Sequence, residues 1–117
     1  MSIKIDFSYL LEITGGEPTI MLEMIDLFIQ EIPKHSARLK EFATEQNWSS
    51  LASEIHKMKP TLLYVGLHSI HQLALELEKE TKTQEIGPGF QERLDIMTSS
   101  ITASLPLLRE KREELVS

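Results

Sequence analysis

Apolar residues recur at spacings of three and four along most of this chain, and no stretch alternates with the period of two that a half-buried strand requires. The pattern predicts five helices. A short first helix covers 6 to 13, with Phe7, Leu10 and Leu11 on one side. The sequence TGGEP (14 to 18) breaks it and leaves Pro18 at a first-turn position, which suits a residue lacking an N–H. The second helix is predicted over 18 to 45 with a kink at Pro33, and the third over 48 to 65, capped by Asn47 and stopped by Gly66. The fourth covers 67 to 82. After the turn signal GPG, the fifth covers 90 to 115, with Phe90, Leu94, Met97, Ile101, Leu105 and Leu108 as its seam and a bend at Pro106. The charged tail REKREELVS is expected to fray. Four long helices with short connections predict an all-α, up-down-up-down four-helix bundle with an additional short N-terminal helix, forming one domain over 1 to 117.

The second helix is too apolar for one buried face. Met21, Leu22, Ile25, Phe28, Ile29 and Ile32 suffice for a core, and Ile20, Met24 and Leu27 form a second stripe. The first helix is expected to cover part of that stripe. The remainder, with Ile13, Pro60 and Leu63, is expected to form a partner-docking patch beside His56.

Composition narrows the function. A net charge of -6 argues against a nucleic-acid ligand, which selects for a basic face. There are no cysteines, so disulfides and thiolate metal sites are excluded. Apolar runs fall far short of the ~20 residues needed to cross a bilayer. A soluble, monomeric, cytoplasmic protein that does not engage a membrane is the plain expectation.

The chemistry concentrates around His56. On the third helix, Trp48, Leu51, Ala52, Ile55, Met58 and Leu62 share the core side, which puts His56 and Lys59 on the rim and Lys57 in solvent. An antiparallel hairpin turning near Gly66 brings position 56 level with 77 or 78, and residue 78 is a glutamate on the rim of its own helix. For one of the two bundle hands His56 and Glu78 share a groove; the sequence does not choose the hand. A carboxylate accepting the Nδ1–H of an imidazole leaves the Nε2 lone pair free as a nucleophile. A nearby ammonium can compensate a phosphoryl group. Pro60 removes a donor to the His56 carbonyl, so a local opening is expected there.

These residues carry a family likeness. HKMKPTLLYVG resembles the signature of histidine-containing phosphotransfer (HPt) domains, with lysine three positions and glycine ten positions after the histidine: His56, Lys59 and Gly66. The second helix with Pro33, and NWSSLASEIHKMK leading into the histidine, extend the likeness over most of the chain. The resemblance implies a phosphorelay intermediate. His56 would take a phosphoryl group from a receiver-domain aspartyl phosphate and pass it to another receiver, Lys59 would steady the transferred charge, and Glu78 would orient the ring. It implies response-regulator receivers and a hybrid sensor histidine kinase as partners. No cofactor is expected on this chain, and Mg²⁺ is expected in the receiver. No ATP-binding motif appears, so ATP-dependent kinase activity of its own is not expected. One departure stands out: Pro60 follows Lys59 where the family usually has glycine. Two other readings remain, a non-catalytic adaptor that binds a receiver or kinase through the apolar patch, and a metal-binding bundle using His56, His68 and His71.

Overall fold

The computed structural model describes residues 5–117. It contains α1 (Ser8–Ile13), α2 (Pro18–Thr44), α3 (Trp48–Tyr64), α4 (His68–Thr83) and α5 (Phe90–Val116). α3 packs against both α2 and α4, and α5 closes the ring against both of them. The result is an up-down-up-down four-helix bundle with α1 added at one end, 46 Å long and about half as wide.

Local chemistry explains the boundaries. Asp6 precedes α1 and accepts the Ser8 amide at 2.9 Å, so the helix starts two residues later than its apolar pattern suggests. Pro18 opens α2, and the Asn47 side chain accepts the Ser50 amide at the start of α3. Gly66 ends the α3 turn at φ +72°, and a β-carbon there would strike the backbone of Asp6. Glycine is therefore required twice over, for the left-handed backbone and for the approach of the N-terminal segment.

One core runs the length of the bundle. Ile25, Leu39, Leu51, Ile55, Leu77, Met97, Ile101 and Leu108 are fully enclosed. Trp48 meets Phe90 edge to face at one end, and Phe28, Tyr64 and Tyr9 stack at the other. Trp48 itself is only half-buried and flanks the core.

One expectation, the frayed tail, needs correction, and two other features of the helices bear on the site. α2, α3 and α5 run uninterrupted through Pro33, Pro60 and Pro106. All three prolines face solvent, on the outer side of helices held by packing, where one lost hydrogen bond is tolerated. The tail of α5 does not fray. Arg112 Nε donates to Asp26 Oδ1 at 2.6 Å, Lys111 lies over the Phe7 ring, and Leu115 packs on the core. Finally, α1 seats against α3. Leu10 inserts completely and Phe7 partly, while Leu11 stays exposed; on α2, Met24 is half-buried and Ile20 and Leu27 are exposed.

Candidate functional site

The groove between α3 and α4 brings together the predicted trio. His56 Nδ1 lies 2.8 Å from Glu78 Oε2, and Lys59 Nζ lies 2.6 Å from Glu78 Oε1. Lys82, one turn beyond Glu78 on α4, sits 3.3 Å from the same oxygen that meets the histidine. The pairing with Lys82 expected of any i,i+4 neighbours therefore coexists with the contact to His56. The bundle has the hand that lets both rims meet.

Burial is sharply graded across this cluster. The Glu78 side chain is 6% exposed, Lys59 18%, Lys82 59% and His56 65%. Burial works to raise the Glu78 pKa, but the bonds from Lys59, His56 and Lys82 outweigh it and hold the carboxyl below its ordinary range. An ionised carboxylate only accepts hydrogen bonds, so the hydrogen between the pair belongs to His56 Nδ1. The neutral ring then carries its lone pair on Nε2, on an imidazole that stands mostly in water. Beside it runs an open groove of about 380 Å³ lined by Ser49, Ala52, Ser53, His56, Thr81, Lys82 and Gln84. An ammonium from Lys82 can enter that space. Lys59 is turned inward and committed to Glu78.

The candidate docking residues fall in two places. Pro60 is exposed and Leu63 half-buried on α3, one and two turns past His56. Ile13, Ile20 and Leu27 are exposed, while Met24 is half-buried against the core. Phe28 stacks on Tyr64 and His35 meets Glu54, so His56 stands level with about position 34 of α2. At 1.5 Å per residue, Leu27, Met24 and Ile20 lie roughly 10, 15 and 21 Å along the bundle from that level. The apolar stripe thus belongs to the α1 end of the molecule and does not lie beside His56 as expected, because the α2–α3 register sets the histidine level with the middle of α2.

His68 is exposed, and His71 is half-buried on the first turn of α4. Burial lowers the His71 pKa, and the charges of Lys59 and His68 lower it further. Among the described residues no three potential ligands from His, Asp and Glu gather in a metal-binding cluster.

A second polar cluster escaped sequence reasoning. On the opposite flank of α3, Glu54 is 4% exposed and receives both His35 Nδ1 and Arg38, whose Nε donates to Oε1 at 2.7 Å. Burial pushes the Glu54 pKa up, but the bonds from Arg38 and His35 carry it below the ordinary carboxylate value. The signal was present in the spacing. Glu54 lies three after Leu51 and four before Met58, and His35 lies three after Ile32 and four before Leu39, so both occupy core stripes. Two polar residues on facing stripes imply a buried pair.

Known proteins resemble this chain in family and in fold. A family model described as Hpt domain matches residues 23–104. The fold is similar to the crystal structure of histidine-containing phosphotransfer protein B (HptB) from Pseudomonas aeruginosa PAO1, with a TM-score of 0.82 at 14% identity, covering 94% of this chain and 95% of that one. It is also similar to the HPT domain from the Hpt sensor hybrid histidine kinase from Shewanella, with a TM-score of 0.70 at 21% identity, covering 91% of this chain and 94% of that one. No curated protein matches the chain.

Proposed function

Because this chain belongs to the Hpt domain family, and so serves as an intermediate in two-component phosphorelay, we propose that His56 is the residue that carries the phosphoryl group. The observation that supports this reading is a single contact: an exposed imidazole whose Nδ1 is bonded to a buried, ionised glutamate. That bond fixes the tautomer and turns Nε2 outward.

The Nε2 lone pair attacks the phosphorus of a receiver's aspartyl phosphate in line. The P–O bond to the aspartate breaks, and the receiver's side chain departs as a carboxylate. Positive charge that develops on the ring is shared with Glu78. Lys59 keeps Glu78 ionised and in place, and its ammonium contributes to the field at the transferred group. The Mg²⁺ that phosphoryl transfer uses belongs to the receiver. The reverse reaction, toward the same or another receiver, uses the same atoms. Receiver domains and a histidine kinase that feeds them are the partners this role requires, and the hybrid form of that kinase is part of the proposal. So are the extent of the domain over 1 to 117, its monomeric state and a cytoplasmic location.

The test is transfer of label from phosphorylated receiver domains. The parent protein should gain acid-labile, base-stable phosphate from at least one receiver, and His56→Gln should gain none while keeping its helical circular dichroism. Transfer that survives in His56→Gln would remove His56 from the role. A parent protein that binds receivers but never takes label would instead be a non-catalytic adaptor.

A further inference from the structure

Both carboxylates that flank the histidine helix are buried, and this shapes the surface that remains. Glu54, the one acid of α3, is turned into the α2–α3 seam and taken up by His35 and Arg38. Glu78 is taken up by His56, Lys59 and Lys82. The solvent-facing ridge of α3 is therefore left without a carboxylate. Lys57 stands on it, exposed and without an ion pair among the described residues. Arg38, 40% exposed, borders one side, and Lys82 borders the other. In a chain of net charge -6, α3 is the one helix whose lysines and arginines outnumber its carboxylates.

Open grooves run along both sides of the ridge. One, of about 420 Å³, is lined by Arg38, Phe42, Ser50, Ser53 and Lys57 beside Glu54. The other holds His56 and Lys82. Ser53 lines both, so one rigid body laid on the ridge above His56 meets both grooves. The exposed apolar side chains of α2 lie about 10 Å or more along the bundle and would touch only the edge of such a footprint.

We propose that the outer ridge of α3 from Ser50 to Pro60, bordered by Arg38 and Lys82, is a basic docking strip that selects receiver domains with an acidic rim around their phosphoryl pocket. This inference rests on the role proposed for His56. Rim charges act chiefly on encounter: they steer the approach, speed association and fade as salt screens them. Arg38, Lys57, Lys59 and Lys82 outnumber Glu54 and Glu78 here, so the strip keeps a net positive charge and discriminates by charge although the whole molecule is acidic.

Lys57 gives the sharpest test because it is exposed and makes no ion pair among the described residues. The parent protein, Lys57→Met and Lys57→Glu are mixed with a receiver domain charged with acetyl phosphate, at limiting concentration, in about 25 and 300 mM salt. The same proteins are phosphorylated directly with phosphoramidate, a small donor that needs no docking. The second-order transfer rate should fall about fivefold or more in Lys57→Glu at low salt, and less in Lys57→Met, with the differences closing at high salt. Labelling by phosphoramidate and melting temperature should not change. Equal receiver rates for parent and Lys57→Glu at both salts overturn the strip while leaving the phosphorelay role intact. A loss seen equally with phosphoramidate also overturns it, since Lys57 would then act on the histidine. If phosphoramidate labels His56 and no receiver does, the role and the strip fall together.

Discussion

Glu78 offers two oxygens to three donors and is nearly sealed from water, so its charge and its geometry can be separated by substitution. Glu78→Gln keeps an oxygen that can accept the Nδ1–H of His56, whereas Glu78→Ala removes it. A hydrogen bond to a charged group is worth about 1.5–3 kcal/mol. Alanine should therefore slow phosphotransfer about 10- to 100-fold, and glutamine should retain more activity than alanine; single-turnover transfer from a receiver measures both. Equal losses in the two variants would mean that charge, not ring orientation, is what Glu78 supplies. At Gly66 the expectation concerns stability. Its φ of +72° and the Asp6 backbone against its α-carbon leave no room for a methyl group. Gly66→Ala should cost about 1–3 kcal/mol in urea unfolding, with His56 still labelled by phosphoramidate in the folded fraction.

At the level of elements, α3 is held from both flanks by a buried glutamate, one on itself and one on α4. Glu54→Ala leaves His35 without its acceptor inside the seam, while the partly exposed Arg38 can turn to water. A loss of about 1–3 kcal/mol is expected by denaturant titration, because an enclosed donor has lost its partner. The α5 tail should behave differently. The Arg112–Asp26 pair is some 40% exposed on each side, a setting in which ion pairs contribute roughly 0.2–1 kcal/mol. Arg112→Ala should barely move the melting temperature, yet amide exchange over 112 to 116 should speed up, as the pair and Leu115 are what fasten that turn.

For the whole molecule, stability should depend on acid in a stated direction. Glu54, Glu78 and Glu80 all have pKa values depressed in the fold. A depressed carboxylate adds stability above its unfolded pKa of about 4.3 and loses it as pH falls through the folded value. The protein should therefore hold its stability near neutrality and lose it progressively below about pH 4.3. Glu54→Gln/Glu78→Gln should begin less stable and lose less over the same interval, which thermal melts from pH 6 to pH 3 would show. The helices, their order, the core seam and the rim placement of His56 could all be read along the chain, because helical periodicity and capping are local and each residue's angular position follows from counting. The same spacing held the clue to Glu54 and His35, which stand on core stripes, but a stripe does not say which polar partner lies across the seam. The hand of the bundle, and with it the meeting of His56 and Glu78, came from the packed fold. Packing alone turned Lys59 inward, tied down the α5 tail and placed α1 on α3. Each of these depends on distances between segments far apart in the chain, where packing and shared burial, not local spacing, set the minimum of free energy.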